Sequence, residues 1–454
     1  MKVQSVLLLI SSLVFLSAAN AQVNTTECIA KSEMQEIASH FMQFAPQANA
    51  DFCNDDSQTW HLVSSLMFMR QTTFSPNMEP SKDELFSGKF ASNWYNYFIG
   101  RIDQLQVVDS CPKGVIAYVY MFGDKTMYTC PAALTTSFSS LDRASVMMHE
   151  ARHIDGFPHI TCSKGARKGL QGACDTKISD GGSYAVTVET YAQLAKFAEG
   201  VHPAMKAYAR ASAVIYAEEA FENAVKINRT QNLLVLTKDL SFHSMNLDKG
   251  DVKDLGKAAA LGHIVKRAQH MIFFPTDKSL KAQYIFSNDE GTITQSPNDF
   301  VTEYNAQTPD QKSNLVDYHI GAQWSARVFK KNVVLVCDPT SAVLKDLAIP
   351  GGLTASNLVY PDGYARDKYT VQLVAETGEV FDVSCLNKQA SIKPSAVKLD
   401  QKFSRMYKVN NQTVGLTADG LLYKVDAGRS TPMATAFDGN ISEIAPQDTF
   451  EFFQ

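Results

Sequence analysis

The chain has 454 residues, of which 45% are hydrophobic and 20% charged, and its formal net charge is −5 at pH 7. These proportions are those of an ordinary globular protein and exclude a disordered or low-complexity chain. The mildly acidic balance gives no electrostatic reason to bind nucleic acid or an anionic membrane surface, so we predict neither as a partner.

The first residues have the pattern of a secretory signal peptide. Lys2 precedes a mostly apolar run from Val6 to Leu16, which is followed by small residues ending at Ala21. A run of about eleven apolar residues is too short to span a bilayer, and the small residues favour cleavage. We therefore predict a signal peptide over residues 1–21 and a secreted protein, extracellular or periplasmic, with no stable membrane insertion.

Eight cysteines follow the predicted signal peptide: Cys28, Cys53, Cys111, Cys130, Cys162, Cys174, Cys337 and Cys385. An even number in an exported chain predicts disulfide bonds. The sequence leaves the roughly one hundred possible pairings open, although pairing of nearest neighbours is geometrically simple. No C-x-x-C pair occurs, which argues against a metal bound by cysteine.

Residues 30–105 have apolar positions mostly three and four apart, which predicts helices. Residues 114–122 are rich in β-branched and aromatic side chains and predict a strand, which turns at residues 123–125 to meet a partner strand at residues 126–130. Ser139 or Ser140 can cap the following helix, and a negative charge in its first turn is favourable.

The most informative stretch is residues 149–159, which read His-Glu-Ala-Arg-His-Ile-Asp-Gly-Phe-Pro-His. On a helix, His149 and His153 project from one face and can bind one cation. Gly156 permits the positive φ that ends a helix sharply, so the turn can bring His159 back as a third ligand. Three neutral nitrogen ligands and one open position are what a catalytic zinc (Zn2+) requires, and Glu150 is placed to hold the water.

This stretch resembles the H-E-x-x-H-x-x-G-x-x-H signature of the metzincin zinc endopeptidases. The resemblance implies that the three histidines bind zinc and that Glu150 is the general base. It also implies a strand lining the substrate cleft, a part that residues 115–122 can play, and a methionine turn, for which Met205 is the nearest candidate. The resemblance covers residues 110–205.

The third ligand stays open between two residues. Residues 184–197 predict a helix with Glu189 near its middle, and gluzincin-type peptidases complete their zinc site with a glutamate on a second helix. The spacing between Gly156 and His159 favours His159.

Three further residues have open roles. Tyr184 and Tyr191 can stabilise an oxyanion, although tyrosines on such a helix more often belong to the core or the surface. Asp155 can hydrogen-bond a ligand histidine or cap the turn.

Beyond a further helical segment at about residues 204–227, the pattern changes to strands. Three segments read as strand, tight turn, strand, with glycine in each turn: residues 283–295, 370–383 and 414–425. These hairpins predict a β-rich domain of sandwich or propeller-like type.

The elements together predict an α+β fold class, a mainly helical zincin-like metallopeptidase domain followed by a β-rich C-terminal domain. The first domain covers residues 22–230, with a helical N-terminal part at 22–105 and a catalytic part at 106–230. The accessory domain of hairpins covers residues 231–454. Whether residues 22–105 are a propeptide stays open.

The predicted function is that of a secreted zinc-dependent metalloendopeptidase, in which Glu150 activates a zinc-bound water to hydrolyse a protein or peptide substrate. The alternative is a secreted zinc-binding adhesion or binding protein with an inactive peptidase-like domain. Glu150 favours the enzyme, because a binding module needs no base beside its metal. The substrate sequence and the oligomeric state are not determined by these patterns.

Overall fold

The computed structural model describes residues 28–450 apart from residues 76–92, 112–114, 122, 136–137, 268–269, 278, 288–292, 298–308, 322–323, 339–342 and 365–367. The predicted signal peptide lies outside the described residues, as does the turn of the hairpin predicted at 283–295. Among the helices of the described part, none is long and apolar enough to cross a membrane.

The chain divides into two compact units. Unit 1 comprises Met1–Pro158 and Glu189–Arg210, and unit 2 comprises His159–Val188 and Ala211–Gln454. The domain boundary predicted between residues 230 and 231 stays a prediction.

Over its described residues, unit 1 contains short helices and two small sheets. Its elements are α1 (Lys31–His40), α2 (Gln58–Gln71), α3 (Trp94–Ile99), α4 (Ser140–His153), β1 (Cys28–Ile29), β2 (Phe52–Cys53), β3 (Gln104–Val107), β4 (Ala117–Val119) and β5 (Thr126–Thr129). The two-stranded sheet joins β1 to β2, and the other has the order β3-β5-β4. The antiparallel pairing of β4 with β5 confirms the hairpin predicted there.

Helix α4 is fixed by its cap and by its burial within unit 1. The hydroxyl of Ser139 accepts a hydrogen bond from the backbone N–H of Asp142, which confirms the predicted cap. The apolar side chains that the helix buries are Leu141, Ala144, Met147, Met148 and Ala151. The buried Asp142 carboxylate also accepts hydrogen bonds from the hydroxyls of Tyr191, at 2.7 Å, and Tyr208, at 2.8 Å. These contacts hold the helix that carries the first part of the motif.

Two helices, α5 (Ser183–Phe197) and α6 (Pro203–Glu219), contribute residues to both units. Helix α5 confirms the helix predicted at residues 184–197. The elements of unit 2 outside these helices are β6 (Asp175–Lys177), β7 (Phe221–Asn223), β8 (Arg229–Thr237), β9 (Ser241–Met245), β10 (Val252–Lys257), β11 (Gly262–Arg267), β12 (His270–Pro275), β13 (Gln283–Ser287), β14 (Ile293–Pro297), α7 (Pro309–Asn314), β15 (Leu315–Ile320), β16 (Ser325–Phe329), β17 (Asn332–Val336), β18 (Lys345–Ala348), β19 (Ala355–Val359), β20 (Thr370–Ala375), β21 (Val380–Leu386), β22 (Gln389–Pro394), β23 (Arg405–Val409), β24 (Gln412–Leu416), β25 (Leu422–Asp426), β26 (Arg429–Met433) and β27 (Ile441–Phe450).

Most of unit 2 is a five-bladed β-propeller. Over the described residues it contains five four-stranded antiparallel sheets, with the orders β10-β9-β8-β27, β11-β12-β13-β14, β15-β16-β17-β18, β19-β20-β21-β22 and β23-β24-β25-β26. The edge strands β27, β11, β15, β19 and β23 contact one another in that order, and β23 contacts β27 again. These inner strands therefore form a closed ring, which is the arrangement of a propeller.

The predicted fold class is wrong. The chain is β-rich over its described residues and does not have a mainly helical zincin-like domain as its principal part. The three predicted hairpins are present as β13–β14, β20–β21 and β24–β25. They are only part of the strand content, because the five blades together contain twenty strands over the described residues. The spacing of apolar residues in 30–105 led to too high a predicted share of helix for the chain.

The disulfides follow the simplest pairing. All eight cysteines are bonded to their nearest neighbours, as Cys28–Cys53, Cys111–Cys130, Cys162–Cys174 and Cys337–Cys385. The last of these joins the residue after β17 to strand β21 and so links two neighbouring blades covalently.

A polar ring of four charged side chains joins the inner strands: His263 on β11, Asp317 on β15, Arg405 on β23 and Glu443 on β27. His263 contacts Asp317 Oδ1 through Nε2 at 2.8 Å and Glu443 Oε2 through Nδ1 at 2.9 Å. Arg405 Nε donates to Glu443 Oε2 at 2.9 Å. Asp317 Oδ2 also accepts the backbone N–H of Leu358 on β19, at 2.8 Å. Each charge is therefore paired, and each is largely removed from water.

The polar ring changes the protonation of its members. Burial lowers the pKa of His263, as does the charge of Arg405, but the two carboxylates outweigh both effects and the pKa is raised above 6.5. Burial alone would raise the pKa of Asp317, but the positive charge of His263 lowers it overall. His263 is therefore favoured in its protonated form within the folded propeller.

This protonation predicts a loss of stability at alkaline pH. Because the folded pKa of His263 is raised, its stabilisation is complete below the unfolded pKa of about 6.5 and is lost as pH rises through the folded value. Between the unfolded and the folded pKa of His263, the free energy of unfolding should fall by at most about 1.4 kcal/mol per pH unit. Urea unfolding followed by circular dichroism at pH 6 and 8.5 measures this.

His263→Gln should be less stable at pH 6 and should lose most of this pH dependence. The matched control is His243→Gln, which replaces a histidine on β9 that stacks on Phe437 and should leave the dependence in place. An unchanged pH dependence in His263→Gln would show that the polar ring is not its source.

Candidate metal centre

The three histidines of the motif come together. His149 and His153 lie one helical turn apart on α4, which ends at His153. Gly156 then has φ +88°, a left-handed conformation that favours glycine, and it turns the chain before His159. One ring nitrogen from each histidine lies within 4.8 Å of the others. No other such group of three His, Cys, Asp or Glu occurs in the part of the chain that the structure describes.

Two of the imidazoles are oriented by hydrogen bonds on their Nδ1 atoms. His153 Nδ1 contacts the backbone carbonyl of Phe157, and His159 Nδ1 contacts Asp175 Oδ1 at 2.8 Å. A carbonyl or carboxylate oxygen accepts, so each Nδ1 carries the hydrogen and each Nε2 keeps its lone pair. This is the tautomer in which a histidine binds a metal through Nε2.

Glu150 is buried, with 7% of its surface exposed, and directly follows His149 in α4. Burial raises the pKa of its carboxyl to about 8, because the ionised form is poorly solvated there. A cation held by the neighbouring histidines would act in the opposite direction, since positive charge favours the carboxylate.

Glu189, the other candidate for the third ligand, is not part of the histidine group. It is buried on α5, and its Oε1 accepts a hydrogen bond from Gln193 Nε2 at 2.8 Å. Gln193 Oε1 in turn accepts from Trp94 Nε1 at 2.9 Å. Glu189 thus belongs to a buried hydrogen-bond chain that connects α5 to α3.

Asp155 takes neither of the roles considered from the sequence. Its carboxylate accepts hydrogen bonds from Arg101 Nε at 2.9 Å and from Arg152 Nη1 at 2.7 Å. Arg152 also stacks on Phe157, with 3.9 Å between Cζ and the ring centroid. Asp155 therefore joins the end of α4 to the end of α3 through an arginine pair.

The hydroxyls of the two tyrosines considered from the sequence contact other groups. The Tyr191 hydroxyl donates to the buried Asp142, and the Tyr184 hydroxyl contacts the carbonyl of Gly172 at 3.5 Å. Met205 lies in the first turn of α6.

Sequence reasoning missed Asp175, the carboxylate that contacts His159. It lies 16 residues after that histidine, so no helical or strand spacing connects the two. The available signal was the disulfide: Asp175 directly follows Cys174, whose partner Cys162 lies three positions after His159.

No protein-family model matches the chain, and neither does any curated protein. Among solved structures, it is similar to a protein of unknown function from Bacteroides caccae, with TM-score 0.29 and 9% identity, over 48% of this chain and 98% of that one. It is similar to PorZ, a surface component of the type-IX secretion system of Porphyromonas gingivalis, with TM-score 0.23 and 11% identity, over 46% of this chain and 29% of that one.

A third similarity is to apo AztD from Citrobacter koseri, with TM-score 0.23 and 14% identity, over 46% of this chain and 61% of that one. The chain thus spans less than two thirds of the length of PorZ and of AztD. Similarities at these TM-scores support no conclusion about function.

The geometry predicts that His159, and not Glu189, completes a zinc site. His159→Ala should weaken zinc binding by more than the roughly 10–100-fold that loss of an outer hydrogen-bond partner costs, because a direct ligand is removed. Glu189→Gln should leave the affinity unchanged. Competition with a chromophoric chelator on the purified protein measures both, and the reverse pattern would make Glu189 the third ligand.

Proposed function

We propose that this protein is a secreted zinc-dependent metallopeptidase. His149, His153 and His159 hold the metal, and Glu150 is the general base. The observation that carries the proposal is the convergence of three imidazoles beside a buried glutamate. The resemblance of residues 149–159 to the metzincin signature supports the same activity.

The donor set suits zinc. Imidazole nitrogen is a common zinc ligand, and three protein ligands leave a further position for water or substrate. When bound, zinc makes a water more acidic and polarises the carbonyl of the substrate. The Nδ1 hydrogen bonds of His153 and His159 support this assignment, because they keep Nε2 as the donor nitrogen.

Glu150 supplies the proton transfers. Its carboxylate accepts a proton from the attacking water and passes that proton to the amine that leaves when the peptide bond breaks. Glu150 directly follows His149 on α4 and is not one of the grouped ligands, so its carboxylate would remain available as a base. Its burial limits competing contacts with solvent.

Strand β4 supports a peptide as the substrate. The order β3-β5-β4 places β4 at an edge of its sheet, among the described residues, and β4 packs near α4. An extended peptide can add to such an edge through backbone hydrogen bonds. Tyr120, directly after β4, is 60% exposed and can contact the side chains of a peptide held there.

The disulfides support an oxidising compartment. Four bonds in one chain are typical of exported proteins, since the cytosol keeps most thiols reduced. We propose that residues 1–21 act as the export signal and that the protein works outside the cytoplasm or in the periplasm.

Substitution of Glu150 tests the reaction apart from metal binding. Glu150→Gln should keep one zinc per chain, because no ligand is lost, and should lower the rate of casein cleavage by about 10²–10⁴-fold through loss of the base. Zinc is measured by elemental analysis and cleavage by release of soluble peptides. The control Glu199→Gln changes an exposed glutamate and should keep both properties.

Native-rate cleavage by Glu150→Gln would refute its role as the base. If the native protein holds zinc but cleaves neither casein nor a mixed peptide library, the alternative of a zinc-binding protein without turnover replaces the peptidase.

A further inference from the structure

A buried carboxylate far from the motif in sequence holds one of its histidines. We infer that Asp175 is a positioning residue of the metal centre, which fixes the ring of His159 for zinc and strengthens zinc binding. The inference rests on the metal site of the proposed function, but it does not depend on peptide cleavage. Asp175 Oδ1 lies 2.8 Å from His159 Nδ1, and Asp175 is 6% exposed.

Asp175 is itself held on several sides. Its Oδ2 accepts the backbone N–H of Tyr184, at the start of α5, at 2.8 Å. Its own N–H donates to the carbonyl of Ala220 at 3.0 Å, and it pairs with Phe221 where β6 runs parallel to β7. The carboxylate therefore has little freedom to turn away from His159.

Gly182 leaves room for this carboxylate. A Cβ at position 182 would lie 2.5 Å from Asp175 Oδ2, which is closer than carbon and oxygen approach without repulsion. Any larger residue would displace the carboxylate or the start of α5. Position 182 thus gives a way to disturb Asp175 without replacing it.

A disulfide and a short bridge bring Asp175 to the segment of His159. Ile160, next to His159, donates its N–H to the carbonyl of Cys174 at 2.8 Å and accepts the N–H of Cys174 at 3.3 Å. The Cys162–Cys174 bond closes the loop between the two segments. These covalent and backbone constraints hold Asp175, the residue after Cys174, beside the segment that carries His159.

The face of the His159 ring is also held. The ring of Tyr184 lies against it, with 4.5 Å between the centroids and 31° between the planes. The Arg167 guanidinium lies 5.2 Å from the centroid of Tyr184. His159 is therefore fixed at its edge by Asp175 and on its face by Tyr184.

A carboxylate in this place acts on metal affinity in two ways. It selects the tautomer with hydrogen on Nδ1, and its negative charge makes Nε2 a stronger donor. It also reduces the conformational entropy that the ring would lose on binding zinc. If Asp175 only stabilised the fold, its replacement would leave the zinc affinity unchanged in a variant that remains folded.

The test measures zinc affinity by chelator competition in Asp175→Ala, Asp175→Asn and Gly182→Ala. Asp175→Ala should weaken zinc binding by about 10–100-fold, since the outer hydrogen bond is lost. Asp175→Asn keeps an oxygen acceptor without the charge and should bind more tightly than Asp175→Ala. Gly182→Ala should also weaken binding, because it displaces Oδ2.

Two further measurements separate positioning from folding. The control Asp180→Ala replaces an exposed aspartate of the same segment and should keep native affinity. Thermal unfolding of each metal-free variant shows whether it is folded. The absorption spectrum of cobalt bound in place of zinc should shift in Asp175→Ala and Gly182→Ala but not in Asp180→Ala.

Native zinc affinity in a folded Asp175→Ala variant overturns the positioning role, while the proposed metal site stands. If Asp175→Ala does not fold, unchanged affinity in both Asp175→Asn and Gly182→Ala overturns the role, and graded weakening supports it. Zinc affinity that depends on Asp175 in a protein that cleaves no peptide supports the role and refutes the peptidase. Absence of zinc binding in the native protein overturns both.

Discussion

The antiparallel pairing of β27 with β8 is the contact on which the five-bladed propeller depends. It runs from Ile441 opposite Thr237 to Phe450 opposite Arg229, and it supplies the first blade with its inner strand. Glu443 on β27 then contacts residues from two other inner strands, His263 and Arg405. Without this strand the first blade would lack its inner edge and the polar ring would lose its shared carboxylate. Backbone pairing and buried charge therefore reinforce the same closure.

The candidate metal centre is organised differently, because local spacing brings its histidines together and distant contacts orient them. One helical turn brings His149 and His153 together, and the left-handed glycine after α4 allows the chain to return with His159. The orientation of that last ring depends on Asp175, which a disulfide loop and a short strand hold in place. Such outer contacts commonly determine how well a metal site binds, since they fix the tautomer and the direction of each ligand.

Local signals in the sequence were sufficient for part of this structure. The cap at Ser139, the helix that carries His149 and the hairpins with glycine turns at residues 370–383 and 414–425 follow from short-range rules, and each is confirmed. The disulfides take the nearest-neighbour pairing, which is the simplest of those that the sequence left open. The fold class was not predictable in the same way, because a propeller is defined by contacts among strands far apart in sequence. Asp175 and the polar ring could not be predicted for the same reason. No local sequence pattern relates an isolated aspartate or arginine to a partner that is distant in sequence. The roles of Glu150 and the histidines in binding and reaction remain predictions.

The connectivity of the first blade also has a kinetic consequence. Strand β8 emerges early in the propeller sequence, but the neighbour that covers its inner edge is formed by residues 441–450. Pairing of strands so far apart in sequence has an entropy cost, because the long intervening loop must close, and it is typical of slow folding. Until β27 arrives, the edge of β8 presents unpaired N–H and C=O groups to other chains. The interval between synthesis of β8 and arrival of β27 is therefore the period in which this protein is most exposed to aggregation.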